Sequence, residues 1–166
     1  MQLARASLEA YVRERRTIRP PADTPSELLG RRAGCFVSLK IDGQLRGCIG
    51  TIAPVRASLA EEICANAISA GTHAPRFAPV GEDELDALVY DVDVLGEPEP
   101  VASADELDPA RYGVIVSCGS RRGLLLPDLD GVDTVEEQVS IAARKGGIDL
   151  RYDDYRLERF EVVRHL

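Results

Sequence analysis

Hydrophobic positions recur at helical spacing in three parts of the 166-residue chain. Leu59, Ile63 and Ala67 illustrate the spacing, because residues three or four apart lie on one face of a helix. We predict helices over about residues 2–16, from residues 54–56 to about Gly71, and from a cap at Asp133 to about Lys145. The third helix has a capping-box pattern, since Glu136 follows Asp133 by three residues.

Apolar and polar residues alternate between these helices, which predicts β-strands. A hairpin is predicted over about residues 33–50, because Asp42-Gly43 suits the positive φ of a tight turn. A second hairpin is predicted over residues 112–126, with its turn at Gly119–Gly123. Single strands are predicted over residues 87–95 and 156–164.

The predicted strand over residues 87–95 alternates Val92 and Val94 with Asp91 and Asp93. An antiparallel strand of this kind has one apolar face and one polar face. We therefore expect both aspartates on the polar face of the sheet.

The order of elements is helix, hairpin, helix, strand, short helix, hairpin, helix and strand. Hairpins pair their strands antiparallel, so the sheet should be mostly antiparallel with helices packed on one face or end. This is an α+β fold. The length fits a single domain over residues 1–166, with lobes over about residues 1–95 and 96–166.

Composition narrows the class of protein. Hydrophobic residues make up 45% of the chain, which suffices for a sizeable core. The net charge is −8, opposite to the basic surplus that nucleic-acid binding uses. No apolar run approaches the ~18 residues of a membrane span. Residues 1–5 lack the apolar run of a secretory signal, so we expect a cytoplasmic protein.

Four cysteines are present, and no two form a C-x-x-C pair. Zinc sites usually contain at least one such close pair, and the chain has only two histidines, so we predict neither a metal site nor a cofactor. Three of the thiols are expected to be small buried residues: Cys35, Cys64 and Cys118.

The fourth thiol, Cys48, is the best candidate for catalysis. A thiolate nucleophile needs a nearby cation or dipole to lower its pKa. Arg46 precedes Cys48 by two residues, and positions two apart in a strand share a face. Gly47 and Gly50 would let a ligand or another backbone approach closely. The alternative is a tightly packed strand end with a structural thiol, and both interpretations stay open.

Several motifs in order along the chain resemble those of the AMMECR family. They are Leu45-Arg46-Gly47-Cys48-Ile49-Gly50-Thr51, then Pro75-Arg76-Phe77-Ala78-Pro79 with Glu84-Leu85, then Tyr112-Gly113-Val114 with residues 121–127, and finally residues 131–139. The resemblance covers almost the whole chain. It implies an α+β fold with two intimately associated β-rich halves around a barrel-like sheet.

The resemblance also implies partners. Prokaryotic members of the family are often encoded beside a Memo-like protein and a radical-SAM protein, and together these form the AmmeMemoRadiSam system. The family has no established reaction. In one respect this chain departs from the family, because Ala74 stands where an acidic residue commonly precedes the Pro-Arg-Phe step.

Other polar residues have a functional and a structural interpretation. Arg76, within the family motif, is a candidate for anion binding, together with Arg121 and Arg122, because a guanidinium forks onto carboxylate or phosphate. His73 could serve as a base for Cys48 or be a solvated loop residue. Residues 136–138 could be functional or could serve the helix start.

Two functional hypotheses follow. In the first, Cys48 and Arg46 line a small pocket that binds or transfers a group in a modification or cofactor-related pathway. In the second, the protein is a non-catalytic adaptor that docks on the Memo-like or radical-SAM protein. An exposed apolar patch beside the hairpin would favour docking, and a polar cleft would favour chemistry.

Overall fold

Eight strands form two four-stranded antiparallel sheets in the computed structural model, which describes residues 1–165. The strands are β1 (Cys35–Ile41), β2 (Gln44–Thr51), β3 (Val89–Leu95), β4 (Glu99–Val101), β5 (Gly113–Cys118), β6 (Arg121–Leu125), β7 (Arg156–Phe160) and β8 (Val162–His165). The first sheet has the order β2-β1-β3-β8, and the second has the order β4-β7-β5-β6.

The α-helices are α1 (Gln2–Glu14), α2 (Ser26–Gly30), α3 (Leu59–Thr72) and α4 (Val135–Lys145), and two short 3-10 helices span Glu82–Ala87 and Ala104–Glu106. The predicted α+β class is therefore confirmed. Among residues 1–165 no closed barrel is found, so the barrel-like closure of the sheet stays a prediction. No helix in this range has the length and apolar character to cross a membrane.

The chain separates into two compact units. The first comprises Met1–Val94 and residues 163–165, and the second comprises Leu95–Val162. In the first unit, α1 and α3 pack against one face of the sheet. Leu8, Val37, Leu39 and Ala67 are fully buried in that core. Alternation along β1 accounts for the burial of Val37 and Leu39, because residues two apart in a strand share the face that the helices cover.

The second unit repeats the combination of a hairpin and a helix. Its core lies between α4 and the β5–β6 hairpin, and it includes Val114, Val116 and Ala142, all fully buried. A Cβ placed on Gly123 would overlap the carbonyl oxygen of Ala142, so β6 lies directly on α4 at this glycine.

The first hairpin has the predicted turn. Asp42 has φ 51° and Gly43 has φ 76°, as a two-residue turn with left-handed central residues requires. The strands then contain a β-bulge that the alternation pattern does not reveal. Leu39 pairs with Gly47 but Lys40 pairs with Leu45, so one residue of β2, Arg46, has no partner on β1.

The second hairpin and the third long helix differ from prediction by a few residues. The turn contains only Gly119-Ser120, so Arg121 and Arg122 belong to β6 and not to the turn. The cap of α4 is Thr134, whose side chain accepts a hydrogen bond from the Glu137 backbone N–H. Thr134 and Glu137 complete the capping box one residue later than Asp133 and Glu136 would.

Other boundaries are also corrected. α3 begins at Leu59, because the Ser58 side chain caps it by accepting from the Glu61 N–H. The short helix α2 was not predicted. The last predicted strand is divided at Glu161 into β7 and β8, which belong to different sheets.

Candidate functional site

One face of the first sheet, opposite to α1 and α3, carries the predicted cysteine site. We call it the outer face, and we define its rows by the residues paired across β2, β1 and β3. The rows are Leu45–Lys40–Val89, Cys48–Ser38–Asp91 and Gly50–Phe36–Asp93. Since paired residues of neighbouring strands point to the same side, each row places three side-chain positions next to one another.

The middle row contains the thiol. Cys48 is partly exposed, and the Ser38 hydroxyl donates a hydrogen bond to its sulfur at 3.4 Å. On the other side of Ser38, the Asp91 carboxylate contacts the Lys40 ammonium at 2.6 Å. Asp91 is buried, with 5% of its surface exposed, and its ion pair with Lys40 offsets the cost of removing the carboxylate from water.

Asp91 and Asp93 lie on one face of the sheet, as predicted, but both side chains are buried there and not exposed to solvent. Asp93 is 4% exposed and forms an ion pair with Arg164, whose Nε lies 2.8 Å from the carboxylate. A buried charge requires a partner of this kind, because desolvation would otherwise strongly disfavour it.

The Arg46 guanidinium pairs with Glu84 and not with the Cys48 thiol. The guanidinium forks onto the carboxylate of Glu84, with Nε–Oε1 and Nη2–Oε2 distances of 2.7 and 2.9 Å. It also donates to the carbonyl oxygens of Ala78 and Pro79. The bulge explains this orientation, because an extra residue interrupts the alternation that would have put Arg46 and Cys48 on one face. Arg46 thus holds the segment that precedes and includes the first 3-10 helix.

The same contacts shift the titration of Glu84. The hydrogen bond from Arg46, supported by one from the Gly81 backbone N–H at 2.8 Å, lowers the pKa of the Glu84 carboxyl below its ordinary value. Hydrogen bonds to the ionised form favour it over the protonated form.

Gly47 and Gly50, predicted to admit a ligand or another backbone, both lie in close packing contacts. A Cβ on Gly47 would overlap the carbonyl oxygen of Ala70, so α3 lies directly against β2 there. A Cβ on Gly50 would overlap the ring of Phe36, its partner in the third row.

Thr51, the last residue of the motif over residues 45–51, belongs to a buried polar network that the sequence analysis did not predict. Glu62, 1% exposed, accepts hydrogen bonds from the Thr51 hydroxyl at 2.7 Å and from the backbone N–H groups of Val55 and Arg56 at 2.9 and 2.8 Å. Asn66 donates to Thr51 Oγ1. A signal was present, because Glu62 and Asn66 are four residues apart within the apolar stripe of α3.

The other candidates of the first unit have local contacts. His73 Nδ1 lies 2.7 Å from the hydroxyl of Thr72. That hydroxyl uses its only proton on the Ile68 carbonyl, so Nδ1 of the histidine is the donor. Arg76 is exposed, and its guanidinium lies over the Phe77 ring at 5.7 Å.

In the second unit the arginines and the helix start have structural partners. Arg121 forms an ion pair with Asp153 at 2.8 Å, and Arg122 pairs with Glu158 at 3.6 Å. Glu137 accepts from the Thr134 N–H at 3.1 Å, and Gln138, fully buried, donates to the Tyr112 carbonyl.

The thiols fall into two classes. Cys35 and Cys64 are buried, as predicted, and burial raises the pKa of both, that of Cys35 to about 12. Cys118 was expected to be buried but is partly exposed, like Cys48. No cluster of three or more potential metal ligands occurs among residues 1–165.

Comparisons with known proteins agree with the motifs. The chain is 57% identical over 159 residues to a protein of Thermotoga maritima, covering 95% of this chain and 91% of the relative. It is 52% identical to a protein of Clostridium acetobutylicum over 99% of its own length, but it spans only 35% of that relative.

A solved structure shares the fold. The crystal structure of an uncharacterized protein from Pyrococcus horikoshii superposes with a TM-score of 0.89 at 32% identity, covering 98% of this chain and 87% of that one. The family described as AMMECR1 matches residues 1–165. The chain therefore belongs to the AMMECR1 family.

Proposed function

We propose that this protein is the A component of the AmmeMemoRadiSam system and docks on a Memo-like or radical-SAM protein through its outer face. The proposal is supported by the first row of that face. Leu45 and Val89 are 40% and 55% exposed, and they flank Lys40 beside the hairpin. Large apolar side chains next to one another on a surface favour a protein partner.

The lengths of relatives support physical association. The relative from C. acetobutylicum is nearly three times as long as the segment that this chain matches. A domain that occurs within a longer chain works next to other protein segments, and docking on a partner would give this domain an equivalent arrangement. The proposal places the protein and its partners in the cytoplasm.

A second candidate function is supported by the thiol itself. Cys48 is partly exposed, lies in the row next to Leu45, and accepts a hydrogen bond from the Ser38 hydroxyl. In this version the docked partner transfers a group to or from the sulfur. The engagement of Arg46 by Glu84 favours docking over chemistry, because it leaves the thiol without the cation that the catalytic interpretation required.

The test is co-expression with the Memo-like and radical-SAM proteins, followed by affinity purification and intact mass spectrometry. Leu45→Glu and Val89→Glu should abolish the complex, because a buried unpaired carboxylate is costly at an interface. Val55→Glu is the matched control, since Val55 is 68% exposed, equally apolar and outside the outer face.

A complex that survives both substitutions on the outer face would contradict docking there. The same samples decide the second candidate. A mass increase that maps to Cys48 and disappears in Cys48→Ser supports group transfer, and a stable complex without covalent change supports the adaptor.

A further inference from the structure

The first unit contains a cavity of about 580 Å³ that is separate from the outer face. It is bounded by α1, by α3 and by the segment of residues 17–20. Its apolar wall is formed by Ile18, Leu29, Ala65 and Ile68. Pockets for small molecules usually fall between about 300 and 1,000 Å³ and are mostly apolar with a few polar groups, so this cavity has the expected size and character.

Two arginines that line the cavity have side chains without a protein partner in the part of the chain that the structure describes. Within residues 1–165, the guanidinium groups of Arg19 and Arg56 form neither a hydrogen bond nor an ion pair. Several other arginines of this unit are engaged, as Arg46 is with Glu84. The chain as a whole has a net charge of −8, whereas two unpaired guanidinium groups lie at this one cavity.

The remaining charged group of the cavity limits the charge of a ligand. Glu61 also lines it, and its carboxylate accepts from the Ala57 backbone N–H at 3.3 Å. Two guanidinium groups and one carboxylate leave a single excess positive charge. A monoanion balances that charge, whereas a multiply charged anion would leave the cavity with a net negative charge.

We propose that this cavity binds a small organic monocarboxylate with an aliphatic body. Arg19 and Arg56 would bind the carboxylate by charge-assisted hydrogen bonds, and Ile18, Ala65 and Ile68 would contact the aliphatic part. The site is independent of the docking function proposed above, because none of its residues lies on the outer face.

Isothermal titration calorimetry with octanoate tests the site. Octanoate should bind saturably with one site per chain. Octanol has the aliphatic chain without the charge, and inorganic phosphate has charge without the chain, so both should bind at least about tenfold more weakly. Equal affinity for phosphate, or no saturable binding of octanoate, would overturn the proposal.

Variants locate the site. Arg19→Gln and Arg56→Gln should each weaken octanoate binding by about tenfold, the effect of one charge-assisted hydrogen bond. Arg31→Gln is the matched control, since Arg31 is exposed in the same unit but does not line the cavity. Ala65→Phe should block binding by filling the cavity, with circular dichroism verifying that it folds.

If octanoate binds equally well to the wild type, Arg19→Gln and Arg56→Gln, the assigned site is wrong. Binding that Arg31→Gln weakens as much as the other two would likewise overturn it, because the effect would then reflect overall charge. Unchanged binding by folded Ala65→Phe would contradict the cavity itself.

Discussion

Glu62 shows how a single charged side chain can stabilise the first unit from within. Its carboxylate is buried in α3, yet it accepts hydrogen bonds from the Thr51 hydroxyl and from the backbone N–H groups of Val55 and Arg56. These contacts tie the end of the hairpin and the loop after it to the helix. A buried donor that loses its acceptor costs more than the bond contributes, so this residue has a large structural effect.

We predict that Glu62→Gln lowers the free energy of unfolding by about 2–3 kcal/mol. The amide NH₂ group is a donor, and it would replace a carboxylate oxygen that accepts hydrogen bonds in this network. Urea denaturation measures this change. Glu61→Gln is the neighbouring control. Glu61 is exposed, and its one hydrogen bond, to Ala57, is 3.3 Å long, so the change should stay within about 0.5 kcal/mol. Equal effects of the two substitutions would refute the structural role of Glu62.

The Arg46–Glu84 pair predicts a pH dependence of stability. Folding lowers the pKa of Glu84 below its ordinary value of 4.5. The contribution of the pair is therefore complete above that value, and it is lost as the pH falls through the pKa of the folded state. Between pH ~5 and pH ~3, the wild type should lose more free energy of unfolding than Glu84→Gln does.

Denaturant titrations across this pH range give the difference between the two proteins, in which the contributions of other carboxyl groups cancel. Glu82→Gln serves as the control, because Glu82 is 70% exposed and its contact with Arg13 is 3.8 Å long. Its pH profile should follow that of the wild type. A Glu84→Gln profile parallel to the wild type would show that the pair contributes nothing.

At the scale of elements, the β2 strand shows where periodicity succeeds and where it fails. Alternation and the Asp42-Gly43 turn correctly predicted the hairpin. The same alternation placed Arg46 beside Cys48, and this was wrong because the bulge adds one residue to β2. A bulge leaves no signal in the pattern of apolar residues, so Glu84, the true partner of Arg46, was not predictable from spacing.

Close packing of β2 against α3 leads to a prediction for Gly47. We expect Gly47→Ala to lower the free energy of unfolding by about 3 kcal/mol, because the new methyl group would overlap the Ala70 carbonyl oxygen and neither backbone segment can move freely. Thermal or urea unfolding measures the change.

Gly30→Ala is the matched control for this substitution. A Cβ on Gly30 meets no atom within 4 Å, and the residue lies in α2, where alanine is the better helix former. Stability should be unchanged or rise slightly. If Gly47→Ala is tolerated as well as Gly30→Ala, the glycine is not required by packing, and its use for a ligand gains support.

At the scale of the molecule, the sequence predicted the class and order of elements because both follow from periodicity and turn residues. It could not show which polar positions become buried. Asp91 and Asp93 follow the alternation that is typical of a solvent-exposed face. In the structure both are buried and form ion pairs with Lys40 and Arg164, which the sequence pattern does not reveal. The cavity at Arg19 and Arg56 was also invisible, since it joins segments far apart in sequence.

The four thiols give a prediction that extends over both units. Cys48 and Cys118 are partly exposed, whereas Cys35 and Cys64 are buried, with the pKa of Cys35 at about 12. Alkylation requires an accessible thiolate. In the folded protein at neutral pH, iodoacetamide should therefore modify Cys48 and Cys118 first, and Cys35 should react only when the first unit unfolds. Peptide mass spectrometry over a time course gives the four rates.

Labelling in urea is the reference, because all four thiols should then react at similar rates. Glu62→Gln links this experiment to stability. Cys35 accepts hydrogen bonds from Asn66 in the network that contains Glu62, so weakening the network should speed alkylation of Cys35 while leaving Cys118, in the other unit, unchanged. Alkylation of Cys35 as fast as Cys48 in the folded wild type would contradict the buried position of this thiol.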